Sequence, residues 1–145
     1  MLTHDQLAFC ILQEYPNLIH GAHFLVGHDL SPETGEQIEP ARIVRWSATE
    51  AQPTDEELQT LVRKHGKAAR AFLAGRDARI ERDKRLKVAD TLVYKAMDTG
   101  DMERMRLAGQ YRQALRDVTA LAGFPLDFAW PDVPAALQDS LPATA

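Results

Sequence analysis

Apolar positions along the chain keep helical spacing in three stretches and run as short strand-like segments in two. Leu7, Phe9, Cys10, Ile11 and Leu12 give Thr3–Gln13 the apolar mass of a helix. Thr3 can cap it, Asp5 suits its positive end, and Tyr15-Pro16-Asn17 stops it. His20–Asp29 and Ala41–Ser47 read as two strands, joined by the turn-rich Leu30–Pro40. In the second strand Val44 and Trp46 share a face and Ile43 takes the other. Two strands alone are marginal, so this hairpin is expected to pack on the first helix.

Pro53-Thr54-Asp55-Glu56-Glu57 opens the next helix with a capping box between Thr54 and Glu57. Leu58, Leu61, Val62, Ala68, Ala69, Phe72 and Leu73 follow at helical spacing. Gly66 weakens this helix by about 1 kcal/mol relative to Ala, and Gly75 marks a point of break or bend. From Arg76 to Lys87 nine of twelve residues are charged, which predicts a solvated helix or an arm that meets a partner. Pairs four apart, Arg79–Asp83 and Glu81–Arg85, support it as a helix. Ala89, Leu92, Val93, Ala96 and Met97 restore a core stripe. Thr99-Gly100-Asp101 is a helix stop followed by a cap, so Leu86–Met97 and Met102–Leu121 should form an antiparallel helical hairpin. An aromatic-proline strap, Gly123–Pro134, then folds back across the hairpin or extends away. The expected fold is α+β and predominantly helical: a small helix/β-hairpin unit over 1–52, a helical unit with the strap over 53–134, and a disordered Ala/Pro-rich tail over 135–145.

Length and composition, 145 residues with 45% hydrophobic and 26% charged, suit one globular domain or a small domain with an appendage. The single cysteine, Cys10, cannot form an internal disulfide and reads as a buried hydrophobe in a reducing compartment. No apolar run is long enough to span a bilayer and no basic leader opens the chain, so a cytoplasmic location is expected. The net charge of −4 is unevenly spread: residues 1–57 hold ten acids and two bases, 58–87 ten bases and three acids, and 88–145 eight acids and five bases. A basic helical middle between acidic ends can hold the chain's own parts together or attract an acidic partner.

Candidate chemistry is sparse. His20, His23 and His28 cluster in sequence, but on one strand His23 faces away from the other two, so no metal site is expected; His4 and His65 stand alone. Glu57 and Asp101 are explained as caps rather than as acid/base groups, and no nucleophile elbow surrounds Ser31, Ser47 or Ser140. No enzyme activity and no cofactor are expected. Arg76–Lys87 could track phosphates, but Asp77, Glu81 and Asp83 interrupt it, no aromatic is interleaved, and the pI is near 5.7.

The run Tyr111-Arg112-Gln113-Ala114-Leu115-Arg116-Asp117, then Gly123-Phe124-Pro125, then Trp130-Pro131 and Pro134, resembles the ending of phage tail assembly chaperones and tail fibre assembly proteins. Upstream, Arg76, Arg79, Arg82-Asp83, Leu86 and Asp90 resemble the family's preceding segment, with Thr91 where many members carry a Trp. The resemblance covers roughly 76–134. It implies a non-enzymatic factor that assists assembly of tail or tail-fibre components, acting in the cytoplasm of an infected bacterial host, with the virion as a further location. With the strap's aromatic content, it makes Tyr111, Arg112, Arg116, Asp117, Phe124, Pro125, Phe128, Trp130 and Pro131 the candidate partner-binding residues, and Arg76, Arg79 and Arg82 a secondary set. The expected partner is a phage tail or tail-fibre protein, with self-association a further option and no membrane. Two alternatives stay open: a structural component retained in the virion, and a nucleic-acid-binding accessory protein.

Overall fold

The computed structural model describes residues 1–142 and is α+β and mostly helical. Helix α1 (His4–Glu14) is followed by strands β1 (Phe24–Gly27) and β2 (Arg42–Trp46). Helix α2 (Asp55–Thr99) and helix α3 (Met102–Asp117) come next, then 3-10 turns at Val118–Ala120 and Ala135–Ser140. The chain divides into two compact units after Leu73, inside α2, rather than at the expected 52/53. The reason is burial: α1 and the hairpin cannot close a core alone and take Leu58, Leu61, Val62 and Ala69 from α2 into it.

In the first unit Thr3 and Gln6 form a reciprocal capping box at the start of α1. Leu7, Ala8 and Ile11 of α1 pack with Leu18, Phe24, Val26 and Ala41. Cys10 is fully buried beside Leu61 and Ala69, and burial pushes its thiol pKa up. The two strands are antiparallel and the register shifts between Leu25 and Val26: Leu25 pairs with Arg45 and Val26 with Ile43. Val44 is therefore an extra residue, 53% exposed, and Ile43 and Trp46 both pack on the core. This corrects the alternation expected from sequence, because a bulge shifts the side-chain period by one. The capping box of α2 forms as expected, with Glu57 Oε2 accepting from the Thr54 N–H at 2.8 Å and Thr54 Oγ1 from the Glu57 N–H at 3.3 Å.

In the second unit α2 continues unbroken through Gly75, where an added Cβ would rest in ordinary contact with Pro125, 3.6 Å from its Cγ, and crowd only the end of the Arg79 side chain, at 3.0 Å. Gly100, at φ 65°, ends α2, with its own N–H and that of Asp101 bonded to the carbonyls of Met97 and Ala96. The Asp101 side chain caps α3 by accepting from the Arg104 N–H at 2.9 Å. Ala89 and Leu92 of α2 pack against Ala108, Tyr111 and Leu115 of α3, giving the expected helical hairpin.

The segment beyond 134 differs from the expected frayed tail. Ala135–Ser140 is a 3-10 helix whose Leu137 is 1% exposed and completes the hairpin core. Arg104 grips the Asp139 carboxylate with both terminal nitrogens, at 3.1 and 2.9 Å, and Lys95 Nζ donates to the Ser140 carbonyl at 2.7 Å. One buried leucine and these bonds offset the ordering entropy that an Ala/Pro-rich composition alone leaves unmatched. The last three positions of the expected tail, 143–145, lie outside the described residues.

Candidate partner-binding surface

The strap is built in three steps. Gly123, at φ 83°, accepts from the N–H groups of Leu126 and Asp127 at 2.9 and 2.8 Å and reverses the chain. A Cβ at Gly123 would run into the Asp127 carbonyl oxygen, so the position admits glycine alone. Phe124, Phe128 and Trp130 then stack edge to tilt, with ring centroids 5.2 and 5.1 Å apart. Charged residues of α2 close the inner side: the Arg79 guanidinium lies 5.6 Å from the Phe124 ring and that of Arg85 4.6 Å from the Trp130 ring. Trp130 and Val133 also pack on the hairpin core. The strap thus folds back on its own chain, and Phe124, Pro125, Phe128, Trp130 and Pro131 are all half-buried.

The other candidate residues divide by burial. Tyr111 is a core residue, 5% exposed, and desolvation raises its phenol pKa. Arg112 donates to Asp90 at 3.2 Å across the two helices, which answers the like-charge pair it makes with Arg116. Arg116 is exposed and has no ionic partner among the described residues. Asp117 accepts from the Gln113 amide at 2.9 Å. Of the secondary set, Arg76 bonds Asp77 at 3.0 Å and Arg82 bonds Asp83 at 2.8 Å. Since Asp83 is taken by Arg82, Arg79 turns to Phe124; Glu81–Arg85 forms as expected at 2.9 Å. Arg79, Arg82 and Arg85 therefore already face rings or carboxylates, which weighs against the phosphate-tracking reading of this helix. Sequence reasoning missed Arg85, because its spacing to Glu81 hid its contact with Trp130.

The histidines are placed differently from the expected strand. The ring of His4, at the start of α1, stands 4.9 Å from that of His20 and 6.5 Å from that of His28. His20 Nε2 accepts from the Val26 N–H at 3.3 Å and His23 Nδ1 from the Ile19 N–H at 2.9 Å, so both act as neutral acceptors. Burial and the neighbouring His4 lower the His20 pKa, against a smaller opposing pull from Asp5. His65 shares Glu14 with Lys64, at 3.2 and 2.8 Å, and these bonds lower the Glu14 pKa. No arrangement of three His, Cys, Asp or Glu side chains suited to a metal ion occurs among the described residues. Among the same residues no helix is long and apolar enough to cross a membrane.

Comparison with protein families divides the chain where its fold does. Residues 7–70 match the family model of the XkdW protein, and residues 75–135 match that of the phage tail assembly chaperone protein. The gap between the matches straddles the division of the two units after Leu73. No curated protein and no solved structure matches the chain.

Proposed function

We propose, from the membership of residues 75–135 in the phage tail assembly chaperone family, that this chain is a non-enzymatic factor that binds a phage tail or tail-fibre polypeptide during virion assembly. It works in the cytoplasm of the infected host, covering apolar or strand-edge surface on its partner until assembly buries that surface. Such surfaces aggregate when they stay exposed during slow assembly. The observation that carries this reading is the aromatic ladder Phe124–Phe128–Trp130, half-buried and backed on one side by two arginines.

Half-exposed aromatic rings on a prefolded strap offer contact area at little further ordering cost. Pro125 and Pro131 stiffen the strap, Leu126 beside them is 57% exposed, and Arg116, without an ionic partner among the described residues, offers a cation to an acidic group on the partner. Tyr111 and Arg112 contribute by holding the hairpin that presents the strap, and the exposed Asp117 is a polar contact beside Arg116. Arg76, Arg79 and Arg82 form its basic flank.

The test is a pull-down from phage-producing cells with tagged wild type, Phe128→Ala and Arg116→Glu, each checked by circular dichroism. Capture of a tail or tail-fibre protein by wild type, reduced in both variants, is the expected result. Equal capture by all three moves the contact off the strap, and capture of no tail protein by wild type refutes the reading. Co-expression should also raise the soluble yield of the captured protein.

A further inference from the structure

The basic middle of the chain can hold the chain's own parts together or meet an acidic partner, and the two roles fall on different stretches of α2. Beyond Leu73 each of the four arginines is answered: Arg76 by Asp77, Arg79 by the Phe124 ring, Arg82 by Asp83, and Arg85 by Glu81 and the Trp130 ring. In the first unit the same helix carries Arg63, Lys67 and Arg70, all exposed. No acid occurs between Glu57 and Asp77. Glu14 of α1 is taken by Lys64 and His65. Arg63 donates to the Thr60 hydroxyl at 2.9 Å, and Lys67 and Arg70 have no hydrogen-bond or ionic partner among the described residues. Steps of four and three residues line the three cations up on one helix face, about 6 and 4.5 Å apart along the axis. Like charges at these spacings weaken a helix. The macrodipole does not offset them, because it favours bases in the last turn and α2 runs on to Thr99. Solubility does not require them either, since interspersed charges of both signs serve it.

We propose that Arg63, Lys67 and Arg70 form a docking face for an acidic helical segment of a partner polypeptide. Carboxylates at the same four- and three-residue steps meet the three cations and relieve their repulsion. Charge complementarity selects this occupant over two others. A nucleic acid is a continuous polyanion, and the face is closed by Asp55, Glu56 and Glu57 before it and Asp77 after it, on a chain of net charge −4. A second copy has few acids to offer from its own first unit. Arg42 holds Asp29 and stands near Glu39, Lys64 holds Glu14, and Glu57 closes the capping box of α2. The exposed loop acids Glu33 and Glu36 lie off any helix. The face belongs to the first unit and its partner is named by chemistry alone, so the proposal stands apart from the strap.

The experiment titrates the full chain with acetyl-Ala-Glu-Ala-Ala-Ala-Glu-Ala-Ala-Glu-Ala-amide and its Glu-to-Gln version, following backbone amides by NMR. Shifts centred on Arg63, Lys67 and Arg70 are expected, fading as salt rises. The Glu peptide should bind about five- to tenfold tighter than the Gln peptide, the range for three exposed ion pairs. Arg63→Gln/Lys67→Gln/Arg70→Gln should remove that preference, and Lys84→Glu/Lys87→Glu should keep it. The triple variant should melt no lower than wild type, because glutamine matches arginine and lysine in helix propensity and removes the repulsion. A lower melting temperature would mean the three cations serve the fold, and would overturn the proposal. So would equal binding of the two peptides, or shifts centred on the bases of the second unit. Tighter binding of a twelve-residue oligothymidylate would assign the face to nucleic acid. Salt-sensitive self-association in sedimentation, lost in the triple variant, would assign it to a second copy. Either outcome refutes the acidic segment as occupant and leaves the reading of the strap untouched.

Discussion

Leu137→Ala tests whether the chain beyond the strap belongs to the fold. Leu137 is 1% exposed and touches a cluster of Ala89, Leu92, Ala108, Tyr111 and Leu115. Truncating a buried leucine to alanine removes its transfer free energy and leaves a cavity, together about 2–5 kcal/mol. Leu137 sits on a short 3-10 helix that can settle partly into the gap, so a loss near about 2–3 kcal/mol is expected. For a unit of this size each kcal/mol shifts the melting midpoint by about 4–8 °C, giving a drop of about 10–20 °C in the second unit. The readout is fluorescence of Trp130, which packs on the same cluster, in a Trp46→Phe background that silences the first unit's tryptophan. Leu141→Ala is the control: Leu141 is 36% exposed, and its loss should stay within about 0.5 kcal/mol. If the two variants melt together, the tail does not dock and the burial argument fails.

Arg85→Ala removes the cation over Trp130 and should cost about 0.5–1 kcal/mol while shifting the Trp130 emission to the red; unchanged emission would mean the stack is absent in solution. Gly123→Ala forces a side chain into a left-handed position already filled by the Asp127 carbonyl, so urea denaturation should show a loss above about 1 kcal/mol. His20 has a folded pKa below its unfolded value, so its neutral form stabilises the fold. That contribution is complete above the unfolded value and is lost as pH falls from there through the lower folded value. Stability of the first unit, read by Trp46, should therefore decline on acidification below about pH 6.5. His20→Gln, which keeps an acceptor for the Val26 N–H, should flatten that slope.

Elements set by local chemistry were legible in the sequence. Thr54 and Glu57 announced a helix start, and Thr99-Gly100-Asp101 a helix turn, because capping involves groups only a few residues apart. The strap was legible as an apolar segment needing cover, but its cover was not. Arg79 and Arg85 read as solvated charges until the fold brought Phe124 and Trp130 over them. Strand alternation misled at Val44, since one inserted residue inverts the pattern and carries no composition signal of its own. The tail misled for the opposite reason: Ala and Pro suggest fraying, whereas a single leucine and one aspartate decide the outcome. His4 stands alone in the sequence because its neighbours His20 and His28 meet it only once α1 packs near the hairpin.

The burial of Cys10 makes the chain's one sulfhydryl a clock. At 0% exposure it cannot meet an alkylating reagent in the closed fold, so its modification rate equals the open fraction of the first unit multiplied by the rate for a free thiol. Adding a binding partner that engages this unit would slow the clock by the factor it gains in closed population, whereas one that engages only the second unit would leave it running at the same pace. The same inertness leaves the surface free for a single engineered cysteine, at Val44 or at Arg116, to carry a crosslinker without a competing reaction from within.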